Sequence, residues 1–172
     1  MSADVPTHPS RRSPGAFVIV APLETVRPGS EFRTNAWPLH VTLVPPFTTS
    51  VPAEIVAELI ASVCRSFSPL TVRAAGRELF GRRRDVPVIT LEPDPGLLLL
   101  HAALMDAVEP VAEQHADRRN VRDRYRPHVS VQRGRSIAPS QPVAIGRVAL
   151  IDRSPGHQAG LRRVVALASL AD

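Results

Sequence analysis

WPLHVTLV at positions 37–44 and YRPHVSVQ at positions 125–132 are two versions of one pattern. In each stretch an aromatic residue stands three positions before a histidine, a valine follows the histidine, and a hydroxyl residue stands two positions after it. The two histidines, His40 and His128, are 88 residues apart in a chain of 172 residues. This spacing is close to half the chain, so we predict an internal duplication with two pseudo-equivalent lobes.

Both stretches have the alternation of apolar and polar residues that is typical of a β-strand. Residues i and i+2 of a strand point to the same face. His40 therefore projects together with Thr42, and His128 projects together with Ser130, while the aliphatic residues between them anchor each strand on the core. If the two strands lie side by side, two imidazoles and two hydroxyls meet in one groove, and these four side chains are the candidate catalytic residues.

Paired imidazoles and hydroxyls indicate proton-transfer chemistry on a phosphate. Imidazole is the side chain that gives or accepts a proton near neutral pH, and two of them can act as base and acid in one reaction. Hydroxyl groups donate hydrogen bonds to the phosphoryl oxygens on which charge builds up in the transition state. Such a site requires no metal, and we expect no cofactor.

The motifs HVTL at 40–43 and HVSV at 128–131 resemble those of the two-histidine (2H) phosphoesterase superfamily. The nearest branch is the LigT-like group of 2′-5′ RNA ligases and cyclic phosphodiesterases. Arg133 matches the arginine that often follows the second motif in that group, and Arg126-Pro127 before it also fits. The resemblance extends over nearly the whole chain.

This resemblance implies a bilobal α+β fold, duplicated about a pseudo-twofold axis, with mostly antiparallel sheets and flanking helices around a central groove. It also implies that 2′,3′-cyclic phosphodiesters on RNA ends or nucleotides are opened without a metal, with 2′-5′ RNA ligation as a second activity. Two departures stand out. Ser130 replaces the commoner Thr, and the short Pro/Gly-interrupted segment between Pro22 and Trp37 predicts that a helix found in many relatives is missing.

Aromatic and basic residues beside the motifs are the candidate substrate contacts. Trp37, Phe47 and Tyr125 could stack on a base at the rim of the groove, with core packing as the alternative. Arg126 and Arg133 suit a phosphate because of their charge and position. The arginines at 82–84 stand at the tip of a predicted hairpin, where they either reach a longer nucleic acid or form a solvated turn.

The rest of the sequence alternates between strand and helix patterns. Helices are predicted to begin at two caps, Ser50 and Asp94, each followed by a proline. We expect Pro45-Pro46 to stop the strand that carries the first motif. One domain of two intertwined lobes is predicted over 16–172, after a flexible tail over 1–15. Strands are predicted at 16–21, 39–44, 70–80, 86–92, 127–132, 143–151 and 161–167.

Composition excludes several classes of protein. The single cysteine, Cys64, excludes an internal disulfide and a cysteine zinc site, and it falls on the apolar face of a predicted helix. All 21 basic residues are arginine, so a Walker-type phosphate loop and Schiff-base chemistry are excluded. Seven arginines against one acid between Arg118 and Arg135 suit an anionic partner. No apolar run approaches a membrane span, and we expect a cytoplasmic monomer.

Two other functions are compatible with parts of the sequence. A non-catalytic module for RNA or nucleotides could keep the groove without turnover, and it would bind oligonucleotides with a steep salt dependence. A metal-dependent hydrolase would need ligands such as His101 and His115, whose spacing matches no known ligand pattern. For His101, which lies on an apolar helix stripe, packing in the core is the favoured interpretation.

Overall fold

The computed structural model describes residues 13–116 and 119–171. Within these ranges the chain forms ten strands, two α-helices and three short 3₁₀ turns. The strands are β1 (Gly15–Pro22), β2 (Glu31–Arg33), β3 (His40–Thr49), β4 (Leu70–Phe80), β5 (Val86–Leu91), β6 (Gln114–His115), β7 (His128–Ser130), β8 (Pro142–Ile145), β9 (Arg147–Asp152) and β10 (Leu161–Ser169). The helices are α1 (Ala53–Cys64) and α2 (Pro95–Val108), and the turns are Thr34–Ala36, Arg122–Arg124 and Pro155–His157.

All strand pairings are antiparallel, and the strands follow the order β2-β10-β9-β1-β3-β7-β5-β4-β8, with β6 added to β3. The amino-terminal strands β1 and β3 share their half of the sheet with the carboxyl-terminal strands β9 and β10. The other half is formed by β4, β5, β7 and β8, from the middle of the chain. The predicted α+β fold with mostly antiparallel strands is confirmed, and each half draws on segments that are distant in sequence.

The two halves meet where β3 pairs with β7 through Val41 and Val129. On the outer side of this pair, Ala21 of β1 lies beside Val41, and Ile89 of β5 lies beside Val129. All four side chains are fully buried. The arrangement is symmetric about the valine pair, as a pseudo-twofold axis through the duplicated motifs requires.

Both helices pack on the face of the sheet to which the central valines point. Their apolar stripes join one core cluster with that pair, and Cys64 is buried in it, as expected of a core residue. The Asp94 side chain accepts a hydrogen bond from the amide of Leu97, which confirms the predicted cap of α2. The cap predicted at Ser50 is wrong, because α1 begins after Pro52 and its first turn has no side-chain cap.

Three sequence expectations need correction or lie outside the described residues. Pro45-Pro46 does not end β3, because a bulge lies there: Phe17 and Ile19 of β1 pair with Phe47 and Val44, which leaves one extra residue on β3. The strand predicted at 143–151 is two strands that separate at Gly146. Most of the tail predicted at 1–15 lies outside the described residues, and β1 already begins at Gly15.

The segment between β1 and β3 contains β2 and a 3₁₀ turn, and no α-helix is found in this fully described stretch. Neither α1 nor α2 has the length and apolar character needed to cross a membrane, and no other α-helix is found in the part of the chain that the structure describes.

Candidate active site

The four candidate catalytic residues lie together at the centre of the sheet. Continuing the antiparallel register from the central valine pair places His40 opposite Ser130 and Thr42 opposite His128. All four side chains point away from the helices, on the face opposite to the valines. Diagonal neighbours in an antiparallel pair are about 7–8 Å apart. The two imidazoles are such diagonal neighbours, so one phosphate group can reach both.

The two imidazole rings are held in the same way. His40 Nδ1 lies 2.7 Å from the carbonyl oxygen of Pro38, and His128 Nδ1 lies 2.8 Å from that of Arg126. A carbonyl oxygen only accepts, so in both rings Nδ1 carries the hydrogen and donates it. In the neutral form Nε2 therefore holds the lone pair. Each motif leaves the same ring atom for proton transfer.

Burial favours the neutral form of both imidazoles. Desolvation lowers the pKa of His40 to about 4, with a smaller lowering effect from the charge of His128. The Pro38 carbonyl and the Glu24 carboxylate act in the opposite direction. Desolvation also lowers the pKa of His128, assisted by the charge of Arg126. Both rings are consequently available as bases in the free protein, and a bound phosphate anion would raise both pKa values.

Trp37 supports the His40 ring and is not an open stacking platform. Its ring centroid lies 4.1 Å from that of His40, and it also packs on Phe32 at 6.2 Å. The guanidinium of Arg162 lies 5.8 Å from the Trp37 ring centroid. The aromatic residue of the first motif thus fixes the orientation of a candidate catalytic imidazole.

Glu24 and Arg135 connect the two motifs, and the sequence analysis did not identify either residue. The Glu24 carboxylate accepts a hydrogen bond from the amide of Leu39 at 2.7 Å and forms an ion pair with Arg135. Arg135 also donates to the carbonyl oxygen of Trp37 at 3.2 Å. The turn after the second motif is thereby tied to the segment that leads into the first. No sequence pattern marks this pair, because its members are 111 positions apart.

Phe80 is a third residue of the site that no sequence pattern indicated. Its ring centroid lies 4.6 Å from that of His128, and the Arg126 guanidinium lies 5.0 Å from the same ring. Arg126 also forms an ion pair with Glu78 at 2.6 Å. These contacts bring the end of the β4–β5 hairpin over the groove. Arg126 is exposed at this rim, as a phosphate contact requires.

Tyr125 is largely buried, which favours the core-packing alternative over stacking on a base at the rim, although it forms part of the wall of a cavity beside His128. Its hydroxyl donates to the carbonyl oxygen of Thr42 at 2.8 Å, and its ring is stacked on His101 at 3.8 Å. His101 Nδ1 donates to the carbonyl oxygen of Leu43, and its Nε2 accepts from the amide of Arg122. Because both ring nitrogens of His101 bond to the backbone, His101 and Tyr125 support β3 from below.

Phe47 also belongs to the core. It is 2% exposed, and its ring packs against Phe17 at a centroid distance of 6.0 Å. We therefore withdraw the stacking expectation for Phe47 as well. Arg133 is exposed in the tight turn after β7, and the arginines at 82–84 are exposed at the tip of the β4–β5 hairpin. Their contacts with a substrate stay predictions.

A cavity of about 240 Å³ opens beside the His128 half of the site. Thr42 and His128 line it together with Pro46 of β3, Phe80 of β4 and Asn120 from the loop before β7. Among the described residues, no group of three or more His, Cys, Asp or Glu side chains is arranged to hold a metal ion.

A duplicated antiparallel sheet with one His-x-Thr/Ser motif on each central strand defines the class of two-histidine phosphoesterases. The sequence model of the family described as the 2′-5′ RNA ligase superfamily matches residues 18–152. This chain belongs to the 2′-5′ RNA ligase superfamily. No curated protein matches its sequence at a significant level.

Solved structures show the same fold at low sequence identity. LigT from Escherichia coli complexed with phosphate has a TM-score of 0.59 and 16% identity over 94% of this chain and 100% of that one. LigT complexed with 3′-AMP has a TM-score of 0.57 and 17% identity over 93% and 100% of the two chains. A structure described as a phosphoesterase has a TM-score of 0.57 and 18% identity, with the same coverage. At these identities the likeness concerns the fold.

Proposed function

We propose that this protein is a metal-independent phosphoesterase that opens 2′,3′-cyclic phosphodiesters on RNA ends or nucleotides, by general acid–base catalysis between His40 and His128. The observation that carries the proposal is the matched pair of imidazoles. They lie diagonally across the central strand pair, and each has Nδ1 bonded to the carbonyl two residues earlier, which leaves Nε2 for the substrate.

The reaction is an in-line displacement at phosphorus. One neutral imidazole takes a proton from water through Nε2 while the water oxygen forms the new P–O bond. The bond from phosphorus to the 2′ or 3′ oxygen breaks on the opposite side. The other imidazole, protonated at Nε2, gives its proton to that departing oxygen. The product is a ribose with one free hydroxyl and a phosphate monoester, and proton exchange with solvent restores both rings.

Thr42 and Ser130 are assigned to the non-bridging phosphoryl oxygens. In the antiparallel register each hydroxyl residue lies directly opposite an imidazole, and all four side chains are on one face of the sheet. A phosphate between the two rings therefore lies within reach of both hydroxyls. Their hydrogen bonds strengthen as charge builds up on those oxygens in the transition state. Arg126 at the rim, and Arg133 after β7, add positive charge for the phosphates of the substrate.

His40 is assigned as the base in the hydrolytic direction. It is the more deeply buried ring and has a pKa of about 4, so it is neutral at physiological pH. His128 is less buried and is therefore more easily protonated once an anionic substrate has bound. The same two groups in the same roles would catalyse 2′-5′ ligation when a 5′-hydroxyl replaces water as the nucleophile. We propose a cytoplasmic monomer without a cofactor as the working form.

The test is hydrolysis of a 2′,3′-cyclic mononucleotide and of a cyclic-phosphate-ended oligoribonucleotide, followed by mass spectrometry in the presence of EDTA. We expect ring opening by the wild type, undiminished by the chelator. His40→Ala and His128→Ala should each lower turnover at least about a hundredfold. The matched control is His157→Asn, which removes an exposed imidazole outside the site and tolerates the positive φ of 61° at that position.

Activity that survives either alanine substitution, or that EDTA abolishes, would contradict the proposal. Tight, salt-sensitive binding of the oligonucleotide without any product would instead indicate the non-catalytic binding module.

A further inference from the structure

We propose that the cavity beside His128 is a nucleobase subsite, which takes the base of the ribonucleotide whose phosphate lies between the two histidines, with Phe80 as its stacking surface. This inference rests on the proposed function, and it adds which side of the site binds the nucleoside of the substrate.

The position of the cavity links it to the phosphate. Thr42 and His128, two of the four groups assigned to the phosphate, also line this cavity. When the phosphate of a substrate contacts these groups, the group that is covalently attached to the phosphate lies in or beside the cavity. For a ribonucleoside 2′,3′-cyclic phosphate, that group is the ribose with its base.

The size and walls of the cavity suit one planar ring system. At about 240 Å³ it is smaller than the roughly 300–1,000 Å³ of sites that enclose a whole drug-sized ligand. Pro46 of β3 stands on one side, and Phe80 with Val86 of the β4–β5 hairpin stands on another. A slot with an aromatic ring in its wall is the usual way in which proteins bind an unstacked base.

Phe80 is held in place before any ligand arrives. The Arg126 guanidinium lies against its ring, and the His128 ring meets it at an interplanar angle of 56°. Glu78, two positions earlier on the same strand face, fixes Arg126 by an ion pair. A stacking surface that is already ordered loses little conformational entropy when the base binds.

Asn120 offers a polar contact for the edge of the base. Its Oδ1 accepts a hydrogen bond from the amide of Arg126 at 2.7 Å, which fixes the orientation of the side-chain amide. Its Nδ2 makes a long contact of 3.5 Å with the carbonyl oxygen of Arg126. An amide nitrogen carries two hydrogens, so Nδ2, at the wall of the cavity, can also donate to an acceptor atom on the base without turning.

The two sides of the site differ in the surroundings of their aromatic residue. On the side of His40, the Trp37 ring packs directly against the imidazole and is backed by Phe32 and Arg162, so that aromatic residue orients the imidazole. On the side of His128, Phe80 also contacts the imidazole and an arginine, but it lines an open cavity as well. The ribose carries the departing oxygen, so a nucleoside on the His128 side places that oxygen next to His128. This agrees with His128 as the acid and His40 as the base.

The experiment compares two five-membered cyclic diesters, adenosine 2′,3′-cyclic phosphate and the base-free glycerol 1,2-cyclic phosphate. Wild type should open the nucleotide with the higher kcat/KM. Phe80→Ala should lower kcat/KM for the nucleotide by about five- to a hundredfold, the range for removal of one base–aromatic stack. Because Phe80 also contacts His128, kcat/KM for glycerol 1,2-cyclic phosphate should fall too, but less, so that the ratio of the two kcat/KM values decreases at least about fivefold.

Leu79→Ala is the matched control. Leu79 is the neighbouring residue on β4, it is 55% exposed, and it points to the opposite face of the strand. This variant should leave kcat/KM unchanged for both substrates. If Phe80→Ala lowers kcat/KM equally for both substrates, or lowers it for neither, the proposed subsite is wrong.

A binding measurement separates the subsite from the chemistry. Adenosine 3′-monophosphate and glycerol phosphate are titrated into wild type and Phe80→Ala by calorimetry. If neither diester is opened, the proposed function fails, and preferential binding of the nucleotide that is lost in Phe80→Ala would still support the subsite. Equal affinity of wild type for the two monoesters would overturn it.

Discussion

Each candidate catalytic imidazole is oriented by the carbonyl of the residue two positions before it, Pro38 for His40 and Arg126 for His128. This contact is local to each motif. The duplication of the motif therefore duplicates the tautomer as well as the residue, and two equivalent Nε2 atoms face the groove. One ring with a free Nε2 and one ring with a protonated Nε2 can then act as base and acid on opposite sides of one phosphorus atom.

The first prediction concerns the pH dependence of kcat/KM, which reports the free protein. The base must be neutral, so the rate falls as pH decreases through the pKa of His40, about 4. The acid must be protonated, so the rate falls as pH increases through the lowered pKa of His128. We therefore expect a bell-shaped profile for a 2′,3′-cyclic nucleotide with its maximum below pH 6.5. A maximum above pH 7 would contradict this assignment.

The second prediction concerns Tyr125. Tyr125→Phe keeps the stack on His101 but removes the donor to the carbonyl oxygen of Thr42. Loss of one partner of a largely buried hydrogen bond should lower the free energy of unfolding by about 1–3 kcal/mol. Urea unfolding measures the loss. Because the site rests on this strand, kcat should also fall, and a variant as stable and as active as wild type would show that the hydrogen bond has no such role.

The sequence predicts the four catalytic candidates at residue scale because the spacing of His and hydroxyl residues fixes their common face in any strand. It does not predict Phe80, which is 48 positions before His128 and reaches it only because the hairpin extends over β7. The sequence also does not distinguish the aromatic residues at the motifs. Trp37 supports an imidazole, whereas Phe47 and Tyr125 are buried, and these differences depend on tertiary packing.

At the scale of elements, the Glu24–Arg135 pair joins the loop after β7 to the segment that enters β3. An exposed ion pair contributes at most about 1 kcal/mol to stability. Its hydrogen bonds to the backbone of Leu39 and Trp37, however, fix the approach to His40. The pair is therefore a positioning contact for the first motif.

The third prediction follows from this contact. Arg135→Met should leave the free energy of unfolding within about 1 kcal/mol of wild type and lower kcat about tenfold, because a small displacement of His40 is costly to catalysis. Arg163→Met is the control, since it breaks the ion pair with Glu31 between β10 and β2, where the side chains are similarly exposed. Equal kcat for the two variants would argue against a positioning role.

Most elements follow from local sequence patterns. The hairpin strands at 70–80 and 86–91 and the cap of α2 at Asp94 were predictable because alternation, turn residues and capping are local. The predictions of element ends fail where strand pairing overrides a local sequence preference. β3 passes through Pro45-Pro46 because the bulge against β1 removes the need for their missing amides.

At the scale of the molecule, the pseudo-twofold arrangement places the site where the halves meet. Val41 and Val129 pair the two central strands. The strands outside β3 come from both ends of the chain, and the strands outside β7 come from its middle. The duplicated motif predicts that the histidines meet. The sequence does not reveal that β9 and β10 complete the amino-terminal half, because antiparallel partners so distant in sequence leave no local pattern.

The fourth prediction concerns stability of the whole molecule in acid. Three imidazoles, those of His40, His101 and His128, have lowered pKa values in the folded protein. Between pH 6.5 and about 4 the unfolded chain binds more protons, so stability decreases as pH falls through this window. His40 alone accounts for a loss of roughly 3 kcal/mol. Urea unfolding at pH 7 and pH 4.5 measures it.

The variant His40→Gln provides the control, because it removes one of the three titrating groups and should flatten the pH dependence of unfolding. An unfolding free energy of wild type that is constant over this range, or an equally steep dependence in the variant, would contradict the burial of His40 in its neutral form.

The central claim is that both imidazoles act on one phosphate, and nitrogen-15 NMR of the histidine rings tests it most directly. In the free protein, the spectra should show His40 and His128 both neutral at pH 7, with hydrogen on Nδ1 and a lone pair on Nε2. One equivalent of adenosine 3′-monophosphate should raise the pKa of both rings together and shift both Nε2 signals. A nucleotide that binds but shifts only one ring, or neither, would contradict a shared phosphate site.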